Sequence, residues 1–224
     1  MSARMTRIST LGRRFNPPEV TPASLLRAEE WDRENARLKA RQTWREHFRD
    51  SGIPKRYRQA SLKACPPEVQ RYAEGFTGNT GRGLLLCGSC GTGKTTAACA
   101  VAIEAAKTCT VRFVTTADYV ALVSNFKTEM EAGKYRDCRL LVLDDLGKEG
   151  STKGAISGLY SLIDHRAGAC KPTIITTNLD AAGLAAYIRK TSDDKSMAEA
   201  LISRIGGKDY VKARMDGKDW RIAR

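Results

Sequence analysis

The 224-residue sequence predicts an α/β fold built on a parallel sheet covered by helices on both faces. Three observations carry that prediction. Apolar runs at 83–87, 111–114, 140–143 and 173–175 lack polar alternation, as strands buried on both faces do. Helical patterns at 94–107, 117–128, 155–167 and 181–189 fall between or after them, in the rhythm of strand-helix-strand units. The first run breaks into Gly88-Ser89-Cys90-Gly91-Thr92-Gly93-Lys94-Thr95-Thr96 and then an alanine-rich helix. This is G-x-x-x-x-G-K-[ST] in the strand-loop-helix setting that gives it meaning.

From the amino terminus, residues 1–20 read as a flexible basic tail with Arg4, Arg7, Arg13 and Arg14. Thr21-Pro22 reads as an N-cap followed by proline at the first helical position, opening one long helix to about Asp50. Gly52 and Pro54 close it. Its large apolar residues, Leu25, Leu26, Trp31, Leu38, Trp44 and Phe48, form no wide stripe, so Trp31 and Trp44 are expected to be exposed. Two readings stay open here, a solvated charged helix and a partner-binding arm. Residues 1–60 hold 14 Lys/Arg against 7 Asp/Glu, so this quarter of the chain carries over half of the net charge of +13. Residues 1–50 are therefore assigned to a tail and arm, and 51–224 to the core. Pro66-Pro67 predicts a short helix to about Phe76, and 210–213 predicts a last strand.

The basic excess favours an acidic partner, of which nucleic acid is the commonest. No apolar run reaches ~18 residues, and the basic amino terminus lacks a signal-like apolar segment, so no membrane association is expected. Seven scattered cysteines, at 65, 87, 90, 99, 109, 138 and 170, fit a reducing cytoplasm better than a disulfide framework. Cys87 and Cys90 have the spacing of half a zinc site but no second pair, and both read as packing residues. His47 and His165 are isolated, and read as structural or surface residues.

The chemistry begins at the loop. Its glycines turn the backbone so that successive N–H groups point inward, and the positive end of the next helix adds to that anion site. Gly88 to Thr96 is the expected nucleotide cradle, with Lys94 on the β- and γ-phosphates and Thr95 on Mg²⁺. Fifty residues after Lys94, the run Arg139-Leu140-Leu141-Val142-Leu143 ends in Asp144-Asp145. Ligands of open parallel sheets bind at the carboxyl ends of strands, so loop and acids can meet there. Asp144 is the expected metal-side acid, and Asp145 the group that orients and polarises attacking water. Pro172-Thr173-Ile174-Ile175-Thr176-Thr177-Asn178 ends in a side chain able to donate to the γ-phosphate. Arg204 closes a helix before Gly206-Gly207 and is a candidate to neutralise transition-state charge on a neighbour's nucleotide, an effect of roughly 10³–10⁵ in rate where it operates. Arg221 is the last basic candidate.

In this order the motifs resemble the AAA+ ATPases and, within them, DnaC-type helicase loaders and the related IstB transposition helpers. Ser51-Gly52-Ile53-Pro54, Asp144-Asp145-Leu146-Gly147-Lys148-Glu149 and Lys171 to Asn178 are further echoes. The resemblance implies a five-stranded AAA+ core with ATP and Mg²⁺ as cofactors. Lys94 and Thr95 would be the Walker A residues, Asp144 and Asp145 the Walker B acids, and Asn178 the sensor-1 residue. Arg204 would be the arginine finger and Arg221 the sensor-2 residue. It also implies a replicative helicase and single-stranded DNA as partners, an amino-terminal helicase-binding region, and self-association through the ATP site. The sequence departs from the family in four places, one of them a short amino-terminal region without a zinc module. Asp145 stands where many members have Glu, which implies slow hydrolysis. Segment 118–137 is short where the family often has two helices, and no helical lid is expected after Arg221.

The reading is an ATP-dependent helicase loader. The rivals are an IstB-type transposition helper, a nucleotide-dependent adaptor with negligible ATPase, and a small-molecule P-loop kinase. The Asp-Asp strand, Asn178 and the basic excess count against the kinase.

Overall fold

A computed structural model describes residues 21–76, 81–124, 129–148 and 154–217. They fall into two units, one ending at Lys39 and one beginning at Ala40. Helix α1 (Pro22–Arg49) contributes to both. Its start is fixed by reciprocal capping: the Ser24 amide donates to Thr21 Oγ1 at 3.2 Å, and the Thr21 amide to Ser24 Oγ at 3.0 Å. In the first unit Leu25, Leu26, Trp31 and Leu38 are exposed, Trp31 by 67 %. In the second unit the helix is packed. Trp44 and Phe48 stack at 5.1 Å and pack on a core cluster, and His47 Nδ1 lies 2.9 Å from the Ala106 carbonyl oxygen. The expectation that Trp44 is exposed is therefore wrong. Unlike Trp31, it lies on a stretch that has a core to cover.

Short 3-10 turns at Lys55–Tyr57 and Leu62–Ala64 lead to α2 (Pro67–Glu74). The core then runs β1 (Gly83–Cys87), α3 (Lys94–Ala105), β2 (Val111–Thr115), α4 (Thr116–Val123), α5 (Glu129–Asp137) and β3 (Leu140–Leu146). It continues with α6 (Ala155–Gly168), β4 (Thr173–Thr177), α7 (Ala181–Thr191), α8 (Lys195–Gly206) and β5 (Tyr210–Arg214). The five strands are all parallel, in the order β2-β3-β4-β1-β5, and helices flank them as expected. Leu84, Leu86, Leu140, Val142 and Ile174 face one apolar cluster with α3. Leu85, Leu141, Leu143 and Ile175 face the other, with α6 and α8. Both faces of each central strand are thus apolar, which is why the sequence shows runs and no alternation.

Three features depart from the sequence reading. The helix expected over 117–128 ends at Val123, and a second helix, α5, follows, so this segment holds two helices despite its length. Strand β3 runs on to Leu146 and so includes both acids. Its pairing with β4 carries one extra residue, since Leu143 faces Ile175 while Leu146 faces Thr177. Such a bulge re-aims side chains at a sheet end.

β4 lies between β1 and β3, so its carboxyl end sits between the phosphate loop and the acid pair.

Candidate active site

The loop leaves β1 at Gly88, whose φ is +146° and where a Cβ would collide with the Met215 carbonyl oxygen. Only glycine lets the chain turn there beside the end of β5. Gly93, at φ +86°, caps α3 in a left-handed conformation that an L side chain disfavours. The Lys94 ammonium is folded into the loop, where Nζ donates to the carbonyl oxygens of Gly88 at 2.8 Å and Ser89 at 2.6 Å. Lys94 is only 5 % exposed, and that burial pushes its pKa down.

Asp144 is 4 % exposed and is the polar centre of the site. The Thr95 hydroxyl donates to its Oδ1 at 2.9 Å, and the Thr176 hydroxyl donates to the same oxygen at 2.6 Å. Burial pushes its pKa up, while these two donors pull the other way. Thr176 also accepts from the Asp145 amide at 2.9 Å, and Thr116 donates to the Asp144 carbonyl oxygen at 2.9 Å. Asp145 itself has φ +61°, a strained backbone for an aspartate. Its Oδ2 accepts from Lys148 Nζ at 2.8 Å.

A cleft of about 640 Å³ opens over this arrangement, within the size of small-molecule sites. Cys90 to Thr96, Asp145, Lys148 and Asn178 line it, with Gly88 and Ser89 behind through their carbonyls. Cys90 is exposed, so it is not the packing residue the sequence suggested. The far wall is made by Arg56, Tyr57, Ser61, Ala64, Cys65 and Met215, with the Arg56 guanidinium 4.5 Å from the Tyr57 ring centroid. Asp144 and Thr95 present two hard oxygens side by side, a donor set suited to a Mg²⁺ that keeps most of its other positions for water and phosphate. The loop amides, Lys94 and the α3 amino end suit a polyphosphate.

Sequence reasoning missed Thr176, Thr116, Lys148 and the far wall. Thr176 and Lys148 stood inside motifs already singled out. Their roles depend on the bulge and on which strand is the neighbour, and no spacing reveals either. Arg204 is placed elsewhere. It lines a small cleft with Arg82, Gly83, Lys171, Asp209 and Tyr210, at the amino ends of β1 and β5, and it pairs with Asp164. The five residues of β1 alone put roughly 16 Å between that edge and the loop. Arg221 lies outside the described residues.

The profile of IstB-like ATP binding proteins matches residues 57–221, well over half of the chain. The chain belongs to the IstB-like ATP-binding protein family. Membership makes it an ATP-binding protein, and the cleft over Lys94 is where the loop of this IstB-like chain puts its anion site. No curated protein matches it. Among solved structures, the DnaC helicase loader is similar at 25 % identity and a TM-score of 0.61, over 73 % of this chain and 100 % of that one. DnaI is similar at 24 % identity and a TM-score of 0.65, over 76 % of this chain and 95 % of that one. A primosome component from Streptococcus pyogenes serotype M3 is similar at 20 % identity and a TM-score of 0.61, over 76 % and 94 %. The last two likenesses speak for the fold. No described helix is long and apolar enough to cross a membrane.

Proposed function

We propose that this IstB-like protein is an ATP-dependent helicase loader acting in DNA replication. The observation that carries the reading is the convergence of Lys94, Thr95, Asp145 and Asn178, from three neighbouring strand ends, on one cleft, with Asp144 buried behind Thr95. Lys94 and the loop amides would bind the β- and γ-phosphates, and Thr95 with Asp144 would hold Mg²⁺. Asp145 would orient a water for slow hydrolysis, with Asn178 donating to the γ-phosphate. Arg204, which lies away from its own cleft, would serve a neighbour's γ-phosphate in a self-assembly. Arg221 would act as a second sensor. Residues 1–50 would serve as the partner-binding arm of a core at 51–224. The positive charge suits single-stranded DNA, and the same cytoplasmic setting suits a replicative helicase.

A transposition helper is the second reading, favoured by the family match. An adaptor with negligible ATPase is a third, favoured by the cation already seated on Asp145. The test has two stages. Titration with Mg·ATP is expected to show saturable binding that Lys94→Ala abolishes, and unchanged binding in the variant refutes the site. Pull-down of a purified replicative helicase against a transposase then separates the first two readings, and phosphate release with and without single-stranded DNA decides the third.

A further inference from the structure

Two residues beyond β3, Lys148 makes an ion pair that the roles above do not use. Its Nζ lies 2.8 Å from Asp145 Oδ2, and both side chains line the cleft with Lys94, Thr95 and Asn178. The carboxylate assigned to water is therefore occupied by a cation. Of the two partners, Asp145 is the fixed one. Its amide donates to Thr176, at the bulge that pairs β3 with β4. Lys148 carries its charge on a flexible four-carbon stem and is the partner able to move. A triphosphate seated on Lys94 and Thr95 brings a second anion into the same crevice, with a terminal group carrying more charge than a carboxylate. A diphosphate leaves Asp145 as the anion nearest to Lys148.

We infer that Lys148 senses the γ-phosphate. It rests on Asp145 when no triphosphate is bound, and it transfers to the γ-phosphate oxygens when ATP binds, releasing Asp145 to orient water. The inference rests on the ATP-site reading above. It makes the Asp145 carboxylate available only when there is a bond to hydrolyse, and it gives the protein a preference for ATP over ADP. No proton or bond is exchanged in the transfer, which trades one ion pair for another.

The test measures Mg²⁺-dependent affinities for a non-hydrolysable ATP analogue and for ADP in the full chain. Lys148→Ala is expected to lower the preference for triphosphate about tenfold, the size of one charge-assisted hydrogen bond in a part-exposed site. ADP affinity stays within about twofold, because ADP has no γ-phosphate for Lys148 to take. Lys148→Arg restores most of the preference, and thermal melts confirm that both variants fold. Asp145→Asn frees Lys148 and raises the preference, and adding Lys148→Ala removes that gain. An unchanged preference in Lys148→Ala overturns this inference alone. So does a Lys148→Ala effect that disappears once Asp145 is Asn, since Lys148 would then act only by neutralising the carboxylate. A wild-type chain that binds neither nucleotide overturns the ATP-site reading, and this inference with it.

Discussion

Replacing Thr176 by Val tests the polar centre of the site without changing its shape. The hydroxyl is fully buried, donates to Asp144 Oδ1 at 2.6 Å and accepts from the Asp145 amide at 2.9 Å. Valine has the same volume and neither capability. The lost bond to a charged group is worth about 1.5–3 kcal/mol, and the stranded amide adds about 1 kcal/mol because it is part-buried. The two together come to about 3 kcal/mol, which for a chain of this size lowers Tm by roughly 6–12 °C. The protein still folds, since domains hold about 5–15 kcal/mol. Thr176→Ser keeps the hydroxyl and is expected to recover most of the loss. The assay is urea and thermal unfolding followed by circular dichroism, without nucleotide. Hydrolysis should fall with stability, because the hydrogen bond from the Asp145 amide to Thr176 Oγ1 helps to hold Asp145 at φ +61°. A Thr176→Val protein that melts with wild type would show that the hydroxyl does not support the buried carboxylate, and the reasoning about Asp144 would be refuted.

Other outcomes follow from the same structure. Arg204→Ala is expected to bind ATP normally but hydrolyse it poorly, and mixing it with Asp145→Asn protein should restore turnover; no rescue argues against action across a subunit boundary. Removing residues 1–39 should leave the melt of the core unchanged while ending association with the helicase, whereas removal through residue 50 should also destabilise it, because Trp44 and Phe48 go too; a truncation at 39 that still captures the helicase refutes the arm. Burial pushes the Tyr210 pKa up to about 12. The fold therefore holds that proton more tightly than the unfolded chain does, and the stabilisation is full below about pH 10 and lost as pH rises towards 12. Urea midpoints should fall across that window, and fall less in Tyr210→Phe; equal slopes would show that Tyr210 ionises without opposing the fold.

The sheet was legible because its central strands are buried on both faces, so that Leu140 to Leu143 reads as an unbroken apolar run too short for a helix. The loop was legible because a phosphate cradle needs glycine at fixed offsets. Helix α5 was not, since Glu129 to Asp137 has little apolar periodicity and contains Gly133. Arg166 shows a different limit. In the last turn of a helix it reads as a partner for the dipole, yet it is fully buried. Its guanidinium donates to Thr173 Oγ1 and to the carbonyl oxygens of Tyr135, Cys138 and Pro172, joining α5, β3 and β4 at the sheet's amino edge. Three chain segments have to converge before such a position exists, and a linear pattern does not record that convergence. The pairing of Lys148 with Asp145 is hidden for a related reason. An i,i+3 spacing normally means a helix face, and here it arises from a bulge and a left-handed aspartate.

The measurement closest to the central claim is co-purification of the full chain with the replicative helicase of its source cell, in Mg·ATP and again in Mg·ADP. The account predicts a stable complex that depends on which nucleotide is present and is lost in Lys94→Ala. A helicase that is never captured, or is captured equally with ATP, with ADP and by Lys94→Ala, would contradict it.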